Sequence, residues 1–171
     1  MCEIKIDNIS LKIRNASLAD LDAISNLESI CFPPEEAATR ESFKRRINTF
    51  PESFFVAELD NTIVGVVNGC VTNSPVIFDE MFHDDKTHMI NGENQAIFGL
   101  LVHPEHQRKG IAGKLLNHII GVSKDRGKEA VILTCKDKLI HYYAKFGFEN
   151  MGISDSTHGG AVWYDMILKL K

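Results

Sequence analysis

The chain has 171 residues, 44% hydrophobic and 25% charged, which is one domain's worth of sequence with enough apolar material to bury a core without metal or disulfide staples. Nineteen Lys and Arg against 23 Asp and Glu give a net charge of −4, which argues against a nucleic-acid binder working through phosphate neutralisation and favours small cationic partners. Cys2, Cys31, Cys70 and Cys135 are isolated, Met1-Cys2-Glu3-Ile4-Lys5 lacks a signal-peptide pattern, and no long apolar run occurs, so reduced thiols, no membrane span and a cytoplasmic location are expected.

Taken in chain order, Leu11 to Asn15 alternate as a first strand. Ser17 then reads as an N-cap with Asp20 in the capping-box position. Leu18, Leu21, Ile24, Leu27 and Ile30 mark a helix that must stop before Pro33-Pro34. A second helix is predicted from Thr39 to Asn48, with Phe43 and Ile47 inward and Lys44, Arg45 and Arg46 facing solvent. Ser53 to Leu59 and Thr62 to Val71 form a hairpin about Asp60-Asn61. Residues 73–94 are the longest loop, acidic at 79, 80, 84, 85 and 93, with a short helix expected around Asp79 to Phe82.

The stretch from Gln95 to Ile120 organises the rest. Ala96 to Val102 is an apolar run of strand length with no charge, and Pro104 ends it. Beyond the turn, Ile111, Leu115, Leu116, Ile119 and Ile120 recur at helical spacing. Between strand and helix lies Gln107-Arg108-Lys109-Gly110-Ile111-Ala112-Gly113. The first N–H groups of a helix lack intrahelical acceptors and carry partial positive charge, so a small-residue loop at that point suits phosphate oxygens. Position 108 is Arg where a P-loop needs Gly, and Lys114 is followed by Leu115 rather than Ser or Thr, so a Walker nucleotide site is not expected. Further on, Ala130 to Cys135 reads as a buried strand, Lys138 to Lys145 as a short helix, and Phe148 to Ile153 and Ala161 to Leu168 as closing strands.

The run Leu101 to Leu116, with Gln107, Gly110 and Ala112 as its Q-x-x-G-x-A, resembles the acetyl-CoA signature of GNAT-type N-acetyltransferases. Tyr142-Tyr143-Ala144-Lys145-Phe146-Gly147-Phe148 resembles that family's second hallmark, Y-x-K-F-G-F. Thr134-Cys135-Lys136-Asp137 and Glu28-Ser29-Ile30-Cys31-Phe32 are similar to the arylalkylamine N-acetyltransferase branch. The resemblance implies an α/β (α+β) GNAT fold over residues 1–171, a mixed seven-stranded sheet flanked by about four helices. It also implies acetyl-CoA as co-substrate, with Leu100, Leu101 and Val102 offering backbone groups to pantetheine, Gly99 as the bulge residue, and residues 107–113 holding the diphosphate.

A primary alkylamine has a pKa near 10.4, so about one molecule in a few thousand is nucleophilic at neutral pH, and a base or a desolvating pocket must free it. Two histidines found in the vertebrate arylalkylamine enzymes match Ala96 and Phe98 here, so that dyad does not carry over. Glu35 and Glu36 in the loop after Pro33-Pro34, and Glu28 on the first helix, are the remaining carboxylates on what the resemblance makes the acceptor side. Phe32 and Pro33 would wall that pocket. A phenol of pKa about 10 suits protonation of a thiolate of pKa about 8.5 or more, and Tyr143 matches the family's general acid. His103-x-x-His106 lies across a Pro turn, and no metal is expected. The expected activity is acetyl transfer to a small primary amine, an arylalkylamine or a polyamine-like molecule, by direct attack in a ternary complex, in a monomer or homodimer. The alternatives are a peptide or protein amine as acceptor, and an acyl-CoA-binding regulatory domain without catalysis.

Overall fold

A computed structural model describes the backbone of residues 2–6 and 9–171 and the side chains from Ser10 onward. Met1 and the Cys2 thiol, which figured in the expectations about a leader and reduced cysteines, lie outside the described residues. Cys31, Cys70 and Cys135 are not in disulfides. Among the described residues no helix is long and apolar enough to cross a membrane.

Two compact units divide the chain, one comprising residues 1–68 and 99–119, the other residues 69–98 and 120–171. The first holds strands β1 (Cys2–Ile6), β2 (Ile9–Asn15), β3 (Phe54–Leu59), β4 (Thr62–Asn68) and β7 (Gly99–Val102), hydrogen-bonded in the order β1-β2-β3-β4-β7. All of its pairings are antiparallel. The β3–β4 hairpin turns at Asp60 and Asn61, whose φ values of 50° and 63° are the two left-handed positions that a tight hairpin turn requires and that Asp and Asn tolerate.

Helix α1 (Leu21–Cys31) lies against β4 and β7, with Leu21, Ile24 and Leu27 buried. Its entry is a 3₁₀ turn at Leu18–Asp20, where the Ser17/Asp20 capping box forms as the sequence predicts. Asp20 also accepts two bonds of 2.8 Å from the Arg14 guanidinium, and that hydrogen bond, working against burial, holds its carboxyl below the usual range. Helix α2 (Arg40–Thr49) starts on a Thr39 cap and packs on α1. Its basic run does not all face solvent: Lys44 does, but Arg46 is buried, its guanidinium 5.4 Å from the centre of the Phe43 ring and donating to Asn68 Oδ1 at 3.1 Å. A three-residue run of charge at helical spacing covers most of a turn, so one member must rotate inward unless the helix stands clear of the core.

Helix α4 (Ile111–Asp125) crosses the first sheet at Gly65. A β-carbon there would sit 2.9 Å from Leu115 Cδ1 and 3.2 Å from the Leu101 carbonyl oxygen, so the missing side chain is what lets the helix come down on the strand. Ile111 and Leu115 are buried in this contact, which fixes where the helix begins.

The second unit holds β5 (Val71–Thr72), β6 (Asn94–Ile97), β8 (Ala130–Cys135), β10 (Tyr164–Lys169) and β9 (Glu149–Ile153), in the order β5-β6-β8-β10-β9, with α3 (Glu80–His83) and α5 (Ile140–Ala144). Strands β6 and β8 run parallel, from Asn94↔Ala130 to Ile97↔Leu133, and the other pairings are antiparallel. The mixed α/β character is as expected, but hydrogen bonding groups the strands into two sheets of five rather than one of seven. The apolar run Ala96 to Val102 is where they part: it bends at Phe98, giving β6 to the second sheet and β7 to the first.

Candidate active site

In the first unit, β7 is the last strand of its sheet. The His103 N–H donates to the Val64 carbonyl at 2.8 Å. Strand alternation then turns Leu101 and Gly99 towards β4, and Leu100 and Val102 away from it. The Val102 carbonyl is already engaged, accepting from Gln107 Nε2 at 3.2 Å and the Cys31 thiol at 3.5 Å. Leu100 therefore offers an outward donor and acceptor, and Val102 an outward donor, on an edge fit for an extended chain.

Five residues beyond Val102, at Gln107, the loop begins. Gln107 braces it through that bond to Val102, while Arg108, Lys109 and Gly110 are exposed. Arg108 has φ of 65° and Gly110 of 81°, a sharp double reversal that delivers the chain into α4. A left-handed non-glycine costs about 1–2 kcal/mol, and such strain collects at ligand clamps and switches. Nothing lies within 4 Å of where a Gly110 β-carbon would stand, so the space over this backbone is open. Ile111 is buried and serves as the helix's anchor; Ala112 and Gly113 follow in its first turn. The arrangement leaves open backbone at the start of α4 beside two exposed cationic side chains, a setting that suits an anion.

The loop between α1 and α2 carries the other first-unit candidates. Glu28 is buried, and its Oε2 accepts from the Ala38 N–H at 2.7 Å, tying helix to loop. Phe32 is half-buried, Pro33 and Glu35 are exposed, and Glu36 is half-buried. The Glu36 and Ala37 N–H groups both donate to the Pro33 carbonyl, at 2.9 and 3.0 Å. The loop is thus a turn wound on Pro33, with Glu28 pinning its exit.

In the second unit Tyr143 sits on α5, buried, its ring 5.3 Å from Tyr142 and 5.8 Å from Phe148. Burial first, and then the Cys135 and Tyr142 groups, push its phenol well above the ordinary value. Burial also pushes the Cys135 thiol up to about 11. Both groups keep their protons at neutral pH.

The sequence reading passed over what stands near them. Phe82, His158 and Trp163 gather their rings, with Phe82 5.1 Å from Phe98 and 4.9 Å from His158, and His158 6.1 Å from Trp163. Lys136 Nζ lies 5.7 Å from the Trp163 ring centre. Asp79 fastens this group: its carboxylate accepts from the Ser156 hydroxyl and, at 3.2 Å, from the Thr157 N–H. Burial pushes the Asp79 carboxyl up, but the hydrogen bonds from Ser156 and Thr157 and the neighbouring His158 outweigh it and hold it low. Trp163 Nε1 donates to the His158 carbonyl at 2.8 Å. No local pattern announces a site joined across 77 residues; the surviving signals were a lone Trp and an unexplained His-Gly-Gly. Among the described residues no group of three or more His, Cys, Asp or Glu is placed to hold a metal ion.

Comparison with known proteins fits this geometry. Residues 21–148 match the Acetyltransferase (GNAT) family. The chain is 27% identical over 140 residues to probable hydrolase YhcX of Bacillus subtilis (strain 168), covering 78% of the chain and 27% of that protein. It is 25% identical over 146 residues to the uncharacterized N-acetyltransferase YkwB of the same organism, covering 79% and 65%. It thus spans about a quarter of the first relative's length and just under two thirds of the second's. Among solved structures, the GphF GNAT-like decarboxylase in complex with isobutyryl-CoA superposes with a TM-score of 0.82 at 21% identity, over 94% of this chain and 100% of that one. The motif at residues 107–113, the fold and the family match converge: this chain belongs to the GNAT acetyltransferase family.

Proposed function

We propose that the chain forms a single acetyltransferase domain that passes acetyl from acetyl-CoA to the primary amine of a small molecule, by direct attack in a ternary complex. The observation that supports this best is the pairing of an edge strand with an open loop, Leu100 and Val102 facing outward and residues 107–113 following after the short turn at 103–106. A pantetheine arm with its two amides can extend such an edge as another strand would, and a diphosphate suits the amides at the start of α4. Arg108 and Lys109 add charge, and Gly110 and Gly113 leave room.

Transfer needs a C–N bond to form, the C–S bond to break with its electron pair moving to sulfur, a proton to leave the amine and a proton to reach sulfur. Tyr143 is the donor to sulfur in this reading. Its raised pKa means that it remains a hydrogen-bond donor at every working pH. Full proton transfer from it to a thiolate of pKa about 8.5 would be uphill, so Tyr143 donates a hydrogen bond that stabilises charge as sulfur departs, and the thiolate takes its proton from solvent afterwards.

The α1–α2 loop carries the acceptor side, with Phe32 and Pro33 as apolar wall, Glu28 as its support, and Glu36 or Glu35 relaying the amine's proton. Thiol release measured with a panel of amines tests the activity. Glu35→Gln and Glu36→Gln test the relay: a pH–rate profile unchanged in both removes these carboxylates from the proton path.

A further inference from the structure

Strand β4 turns one face to α4 and the other to α1 and α2. Gly65 marks the first face, since a β-carbon there would meet Leu115 and Ile111 of α4. Asn68 lies three residues further along the same strand, so its side chain points to the opposite face. On that face α1 packs against β4 and β7, and Arg46 of α2 donates through Nη1 to Asn68 Oδ1 at 3.1 Å. This is the side on which the α1–α2 loop is proposed to carry the acceptor.

Asn68 is 1% exposed, yet only half of its amide is satisfied. A guanidinium has donors and no acceptor, so the Asn68 atom that faces Arg46 is the oxygen, and the NH₂ group faces away from it. That Nδ2 is buried and has no hydrogen-bond partner among the described residues. A buried donor left unmade costs about 1–3 kcal/mol, a cost that an oxygen atom of a ligand removes.

The position of Asn68 identifies the oxygen. Asn68 is paired with Gly99, the first residue of β7, and a β-carbon on Gly99 would lie 3.7 Å from Asn68 Nδ2. Gly99 is half-buried and has no side chain to cover the amide. The diphosphate loop follows the other end of β7, beyond Val102. A pantetheine arm laid along the outward groups of Val102 and Leu100 therefore runs back from that loop towards Gly99, and its acyl end arrives beside Asn68. An N–H donor there would only tie up the lone pair of an attacking amine. A thioester carbonyl oxygen accepts from it, and accepts more strongly as charge gathers on the oxygen.

We propose that Asn68 is a catalytic residue, whose side-chain amide donates to the thioester carbonyl oxygen and stabilises the negative charge that develops when the amine adds. The assignment rests on the acetyltransferase reading. As the amine nitrogen bonds to the carbonyl carbon, the C=O π pair moves onto oxygen, and it returns as the C–S pair leaves with sulfur. Asn68 keeps both of its amide protons throughout, and the amine's proton follows the path proposed above. Arg46 is the positioning residue: its charge on Oδ1 fixes which way the amide faces and polarises the N–H that does the work.

The experiment combines thiol-release kinetics with calorimetry on two unreactive coenzyme analogues. One is the ketone in which a methylene replaces the thioester sulfur, and the other is its counterpart with the carbonyl also reduced to a methylene. Asn68→Asp keeps an oxygen for Arg46 and removes the donor. It should lower kcat about 100-fold, with acetyl-CoA affinity falling no more than about threefold. The wild type should bind the ketone about tenfold more tightly than the reduced analogue, and Asn68→Asp should lose that preference. Gly99→Ala sets a methyl group over the amide while leaving Asn68 and Arg46 in place, and it should lose the preference too, which keeps the test alive if Asn68→Asp does not fold. An Asn68→Asp protein within threefold of wild type in kcat overturns the assignment, as does a ketone preference that survives in Gly99→Ala. A wild type that releases no thiol with any amine fails the acetyltransferase reading instead, and the analogue comparison, which needs no turnover, still decides whether Asn68 meets the oxygen.

Discussion

The loop at residues 107–113 and the loop at residues 154–163 are built on opposite principles. The first is a run of neighbours: the groups proposed to hold the diphosphate are backbone amides, and its geometry comes from the left-handed Arg108 and Gly110 and the buried Ile111. The second is assembled from distant parts, with Asp79 reaching Ser156 across 77 residues and Phe82 meeting His158. A diphosphate presents the same chemistry whichever acyl-CoA carries it, so a short local device suffices. The second grouping becomes visible only once the tertiary fold brings its side chains together.

The sharpest way to break that contrast is to spoil the backbone cradle without touching the fold. Gly110→Asp adds a β-carbon and a negative charge where nothing of the protein lies within 4 Å, at a φ of 81° that Asp tolerates better than most residues. Acetyl-CoA affinity should fall about 100-fold, some 2.7 kcal/mol. Stability should fall by only about 1 kcal/mol, or 2–4 °C in Tm for a chain of this size. An unchanged dissociation constant by calorimetry would mean that the diphosphate is held elsewhere.

Tyr143→Phe probes the second region's chemistry with the first left intact. It should lower kcat about tenfold or more while acetyl-CoA binding stays within twofold. Because burial holds the phenol well above its ordinary pKa, the wild-type rate should show no fall attributable to Tyr143 as pH rises to about 10. A basic limb present in wild type and absent in Tyr143→Phe would show the phenol ionising in the working range, contrary to its buried setting.

The same division explains what could be read from the chain beforehand. Helix α4, the 60–61 hairpin, the Ser17/Asp20 capping box and the short helix near residue 80 were all legible, because each depends on residues within one turn or one hairpin of each other. The bend at Phe98 was not, since an unbroken apolar run from Ala96 to Val102 gives no sign that its halves pair with different strands. Arg46 was misread as solvated because its partner, Asn68, is 22 residues away. The strand at Cys2–Ile6 was passed over because Ile9–Asn15, which it pairs with, begins almost at once. His158 drew no attention because the ring it meets across the fold, Phe82, is 76 residues away in sequence.

Asp79→Asn gives the mildest test, and it acts on the joint between the start of α3 and the loop carrying His158. Asn can still accept from Ser156, but it replaces a carboxylate oxygen facing the Thr157 N–H with an amide group, so the loop carrying His158 should loosen. The expected loss is about 1 kcal/mol of stability and roughly threefold in kcat, with KM for acetyl-CoA unchanged. The pH dependence follows from the direction of the shift. The folded carboxyl lies below its unfolded value, so its contribution is complete above the unfolded pKa of about 3.9 and disappears as pH falls through the lower, folded one. Wild type and Asp79→Asn should therefore differ in Tm at pH 6, and the difference should shrink as pH falls below about 3.9. A difference that does not shrink at all would mean that Asp79 works by shape alone. A shrinking difference together with an unaltered kcat at pH 7 would mean that the clamp supports the fold without bearing on turnover.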